Sequence, residues 1–274
     1  MTNTERIQAN NAELREAISM AENLPDAGGG GVDHLDDFLS NTLTAIDSDV
    51  TSILSYGCYG RTAIKTVNLP KCTEINSYSF RGCSGITNVD VPLTNTLGTY
   101  AFYGCTNLAS INAPKAKSLG TYVFYKAGLE SVNLPLATSV PQNAFFQNEN
   151  LAKADFGVAS KINQSAFANC YKLDTLILRL TTAICALGTA TNALQGTPIA
   201  EGTGYVYVLK QWLSDDDATK DYRRATNWVN YASQFRPLVA TFADLASIDG
   251  SVYDRAWVDD ENCVYIYNGS AWTK

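Results

Sequence analysis

The heptad "TYAFYGC" at residues 99–105 lies twenty-two residues after "SYSFRGC" and twenty-two before "TYVFYKA". A fixed interval of that length restricts the fold more than any other feature of the chain. It marks a repeat in which no unit can bury its apolar face alone, so the units must stack. With the phenylalanine of each heptad as anchor, Phe80, Phe102, Phe124, Phe145 and Phe167 are spaced 22, 22, 21 and 22, and "SYGCYGR" puts Cys58 in the same slot one step upstream. Other columns keep the same period. Ile53, Ile75, Leu97, Leu119, Val140 and Ile162 precede the anchors. Ile64, Ile86, Leu108, Leu129, Leu151 and Leu173 follow them. Two alternating apolar positions come next, the first of which runs Val67, Val89, Ile111, Val132, Ala154 and Leu176. "TVNLP", "NVDVP", "SINAP" and "SVNLP" therefore read as short strands with every second side chain inward, and the heptad as a tight helical or 3-10 turn between them.

The pattern I-x-x-x-[AVS]-F-x-x-C-x-x-L-x-x-V-x-L-P closely resembles the BspA-like leucine-rich repeats of bacteria, over about residues 46–235. The resemblance implies an α/β leucine-rich-repeat solenoid of roughly 22-residue units. It also implies a non-enzymatic binding or adhesion module of the cell-surface or prophage-tail type. "GTPIAEGTGYVYV" (196–208) and "DYRRATNWVNYASQF" (221–235) look like that family's closing strand and capping helix. An alternative role is a structural assembly component in which the solenoid is a spacer.

The ends differ from the body, dividing the chain into 1–31, 32–239 and 240–274. Residues 4–24 read as an amphipathic helix, with Ile7, Leu14, Ile18, Ala21 and Leu24 on one face. That helix either docks on the body or offers a route to homo-oligomers. "AGGGG" (27–31) is a linker, and Val32–Val50 reads as a cap on the first repeat. "VYDRAWVDDENCVYIYNGSAW" alternates on both sides of a turn and reads as a small β-hairpin module. The polar start lacks the features of a signal peptide, and no apolar run is long enough to span a membrane.

Charge argues against nucleic acid as a partner. The net is −7, with −8 in residues 1–50 and a scattered +5 in residues 51–180. Seven cysteines without a CxxC pair, and one histidine, His34, give no zinc site. The column Cys83, Cys105 and Cys170 reads as a buried filler, expected to be reduced. No nucleophile–base set, phosphate loop or carboxylate pair points to catalysis or a cofactor. The consecutive Asp215, Asp216 and Asp217 suit the start of a capping helix better than a calcium loop.

Two surfaces remain for a protein or carbohydrate ligand. The polar residues Asn68, Asp90, Asn112, Asn133 and Asp155 lie between the inward strand positions and are expected to line a concave strand face. Tyr78, Tyr100, Tyr103, Tyr122 and Tyr125 recur two before and one after the anchor and would form an aromatic stripe. Stacked tyrosines have a structural duty between neighbouring units, so the strand face is the preferred site.

Overall fold

The computed structural model describes residues 43–47, 49–188, 192–250 and 253–274. The expected amphipathic helix, the linker and most of the N-terminal cap lie outside these residues, as does His34.

The described chain is a stack of coils held by parallel strand pairing in strict sequential order. Ala45–Asp47, Thr66–Asn68, Asn88–Asp90 and Ser110–Asn112 form one four-stranded sheet. Ser131–Asn133, Lys153–Phe156, Thr175–Leu178, Tyr205–Leu209, Phe235–Val239 and Arg255–Val258 continue the same face as a second sheet. The register sets Val67 against Val89 and Ile111, and Val132 against Ala154 and Leu176. These are the inward positions, and Val67, Val89, Val132, Ala154 and Leu176 are buried. Two-residue strands, such as Glu74–Ile75 and Thr96–Leu97, form a second parallel ladder.

The anchors fill the core as a single file. Phe80, Phe102, Phe124, Phe145 and Phe167 are fully buried, with ring centroids 5.3, 5.5, 5.3 and 5.2 Å apart. Cys58 begins the file. Leu194 extends it to a seventh coil, because the amide of Phe167 donates to Ala193 and that of Asn169 to Gln195. The sequence hides this coil: Leu194 follows Phe167 by 27 residues rather than 22.

The heptads are not helical. In coil 2 the amides of Tyr78, Phe80 and Gly82 leave the turn and donate to Thr99, Ala101 and Tyr103 of the next coil, at 2.9, 2.9 and 2.7 Å. The amides between them bond locally, as in Arg81 to Tyr78. This alternation requires a left-handed residue on each side of the anchor. Tyr56, Tyr78, Tyr100 and Tyr122 take the first such slot, with φ between 58° and 63°. Gly60, Gly82 and Gly104 take the second, where a side chain would be strained. The turns thus form a third hydrogen-bonded ladder between coils.

The expected capping helix is likewise absent. Residues 221–235 fold as the short 3-10 turns Tyr222–Arg224 and Trp228–Gln234. Asn227, at φ 68°, and the non-helical Tyr231 prevent a continuous helix. Asp217 caps only a three-residue turn, by accepting from the amide of Thr219. Beyond this, Arg255–Val258 turns back antiparallel into Cys263–Tyr267, the hairpin of the sequence reading. Its first strand pairs in parallel with Phe235–Val239, so the hairpin extends the main sheet.

Candidate functional site

Outward side chains on the strand face form two evenly registered columns. Asp47, Asn68, Asp90 and Asn112 align across the first sheet, and Asn133 aligns with Asp155 in the second. Amides and carboxylates link in pairs: Asn68 Nδ2 donates to Asp47 Oδ1 at 2.9 Å and Asn112 Nδ2 to Asp90 Oδ1 at 2.7 Å. In the neighbouring column the hydroxyl of Ser110 donates to Asn88 Oδ1 at 2.7 Å. Asn112 and Asn133 are exposed, and Asn68 and Asp90 are half-buried. No core residue depends on these groups, and the Asn68–Asp47 and Asn112–Asp90 pairs fix each other's orientation.

Asp155 does not belong with them. It is buried and paired with Arg179, whose guanidinium also binds Asp259 through Nε at 3.1 and 3.2 Å. Beside it, Lys153 Nζ donates to Asn262 at 2.8 Å and sits 4.1 Å from the Trp257 ring. Burial, then the charge of Arg179, lowers the Lys153 pKa. Ile177, Tyr207, Leu238 and Trp257 form a small apolar cluster on this side of the sheet. The turn of the C-terminal hairpin and Trp257 therefore cover the strand face around Lys153, Arg179 and this cluster, and among the described residues the face of coils 1–4, Asn133 included, is left open. Asp155 helps hold Arg179, the tether for that cover, and Asp259 at the other end of the tether is too remote in sequence for spacing to reveal it.

The tyrosines form two files. Tyr56, Tyr78, Tyr100 and Tyr122 stack at 4.7, 4.9 and 4.8 Å with planes within 12° of parallel. In the second file Arg81 replaces a ring, its guanidinium carbon 5.8 Å from Tyr59 and 4.8 Å from Tyr103. Tyr103, Tyr125 and Phe146 then stack at 4.7 and 4.9 Å. The files touch through tilted pairs such as Tyr100–Tyr103, 5.6 Å apart. Burial raises the Tyr100 and Tyr125 pKa values, with neighbouring tyrosines adding to the effect. Rings stacked this way cover one another's faces and leave edges toward solvent.

The cysteine column has a role that spacing alone did not show. Cys83, Cys105 and Cys170 each donate a thiol hydrogen bond to the anchor carbonyl of the preceding coil, at 2.8, 3.1 and 3.0 Å. Asn148 makes the same bond to Phe124 at 2.6 Å. Burial pushes the Cys83, Cys170 and Cys185 thiols up to about 12, which removes the thiolate that redox chemistry needs. All seven cysteines are free of disulfides. Among the described residues no group of three or more His, Cys, Asp or Glu side chains converges as a metal site. Nor is any helix among them long and apolar enough to cross a membrane.

A family model described as "BspA type Leucine rich repeat region" matches in 6 copies, over residues 38–152 and 73–185, together more than half of the chain. No curated protein matches. A solved leucine-rich repeat protein from Bacteroides ovatus ATCC 8483 is similar at 20% identity and a TM-score of 0.45, covering 62% of this chain and 48% of that one. A leucine rich cell surface protein from Faecalibacterium prausnitzii A2-165 is similar at 16% identity and a TM-score of 0.41, covering 61% and 60%. The chain spans about half the length of the first and three-fifths of the second.

Proposed function

Because this chain belongs to the BspA-type leucine-rich repeat family, we propose that it is a non-catalytic binding module whose working surface is the open half of the strand face. Asn68, Asp90, Asn112 and Asn133 carry the contacts, and the ligand is a protein or carbohydrate displayed on another surface. One observation carries the choice of face. The strand-face groups are at least partly open to solvent and unused by the core, and Asn68, Asp90 and Asn112 are oriented by hydrogen bonds within their column, whereas the tyrosine faces are spent on one another. Orientation before binding reduces the ordering cost of association. The setting that fits such a module is a cell surface or a phage-derived tail.

The test compares two triple variants in a cell-adhesion assay. Asp90→Ala, Asn112→Ala, Asn133→Ala together should leave the thermal midpoint nearly unchanged and abolish binding. Tyr78→Ala, Tyr100→Ala, Tyr122→Ala together should mainly lower stability. The opposite pattern, with the tyrosine variant folded but inactive and the strand-face variant active, overturns the choice of surface. A parent that binds nothing favours the spacer role instead.

A further inference from the structure

The coils are unequal just after the anchor. Six residues separate Phe80 from Ile86, Phe102 from Leu108, Phe145 from Leu151 and Phe167 from Leu173, but only five separate Phe124 from Leu129. The strand-face sheet breaks at the same coil, between Ser110–Asn112 and Ser131–Asn133. As at Gly85 in coil 2, the backbone here packs against the preceding coil, and a Cβ on Gly128 would fall 2.2 Å from the carbonyl oxygen of Thr106. Here a cleft of about 350 Å³ opens, lined by Thr106, Lys126, Gly128, Gln147, Glu149 and Asn150.

Left-handed residues that carry a side chain occur in coils 1–6, and two of them lie at this cleft. The second left-handed slot holds glycine in coils 1–3 and 7 and Asn169 (φ 62°) in coil 6, but Lys126 (φ 54°) and Gln147 (φ 56°) in coils 4 and 5. A residue with a Cβ costs on the order of 1 kcal/mol there, and both side chains line the cleft. Asn150 Oδ1 accepts from Lys172 Nζ at 2.9 Å, which leaves its amide N–H groups to donate. The side chains of Thr106, Gln147 and Glu149 make no hydrogen bond to another described residue. The second aromatic file also ends beside the cleft: Phe146 stacks on Tyr125 and has no ring beyond it.

We propose that this cleft is a binding site for a single saccharide unit, separate from the strand face. Hydroxyl groups donate and accept at once, and a lining of two amides, a hydroxyl, a carboxylate and an ammonium offers both functions. The volume lies at the small end of ligand clefts. Lys126 and Glu149 are both exposed, so a zwitterion such as an amino acid would gain little from charges that water screens. The strained side chains are then retained because they hold the sugar.

Saturation-transfer NMR with methyl glycosides of glucose, galactose, mannose and N-acetylglucosamine tests the site. At least one glycoside should receive saturation from the parent chain. Gln147→Gly and Glu149→Ala should each weaken that binding about fivefold, the net worth of one hydrogen bond. Gln147→Gly should do so while holding or raising the thermal midpoint, which separates lost contact from lost fold. The strand-face triple variant should bind the glycoside like the parent. No transfer from any of the four, transfer that survives in both cleft variants, transfer lost in the strand-face variant, or binding of free glycine and glutamate alone would each overturn the proposal.

Discussion

Replacing Phe102 by alanine tests the stacked core at its most enclosed point. Phe102 is fully buried, with rings 5.3 Å away on one side and 5.5 Å on the other. Losing the ring removes roughly 120 Å² of buried apolar area beyond what alanine keeps, about 3 kcal/mol at 25 cal/mol per Å². Neighbours on a hydrogen-bonded ladder cannot slide in, and a residual void of roughly 50 Å³ adds about 1 kcal/mol. The expected loss is therefore ~4 kcal/mol. It should also be local, since each coil contacts only its neighbours. All four tryptophans, Trp212, Trp228, Trp257 and Trp272, lie in the C-terminal third, so fluorescence reports that end while far-UV dichroism reports the whole stack. In urea the dichroism midpoint should fall and separate from the fluorescence midpoint. A loss below about 1 kcal/mol would refute the packing account, and equal shifts in both signals would refute the nearest-neighbour account.

Asn148 leaves a buried Oδ1 without a partner. Asn148→Cys keeps the donation to Phe124 and removes the orphan acceptor, and the Phe145 carbonyl that loses the second Nδ2 donation still accepts from Cys170 and the residue 148 amide, so it should stabilise by about 1 kcal/mol; a lower thermal midpoint would contradict this. Burial alone would raise the Asp259 pKa, but hydrogen bonding and charge from Arg179 hold it below the ordinary value. A depressed carboxylate stabilises above its unfolded pKa, about 3.9, and that contribution is lost as pH falls through the folded value. Hydrogen-exchange protection factors at 255–267, corrected for the intrinsic rate, should therefore fall in acid, and Asp259→Asn should flatten that dependence; matching acid profiles for parent and variant would rule out the tether.

The stacking order, the anchor file and the inward columns could be read directly from spacing, because each is enforced by a local period. What escaped depended on single residues or distant partners. Leu194 continues the file after a longer interval and without a ring. The tyrosines suggested helical turns, since nothing in their identity announces a left-handed backbone. Asp155 looked like Asn133 by column, but its environment is set by Arg179 and by Asp259, more than a hundred residues later. The cleft did leave a trace, the shortened "FYKAGL", visible as a spacing of 21 between anchors.

The ladder through the turns also bears on how the molecule meets force. Coil boundaries are closed by strand pairing on one face, the short strands on another, and the amides of the heptads on a third; between coils 3 and 4, where the strand-face sheet breaks, the last two remain. Tension spread across a whole boundary loads these bonds together, and they resist in concert. Tension applied through a chain terminus instead unzips the outermost coil bond by bond. An attachment across the flank of the stack would therefore withstand a larger pull than one at its ends.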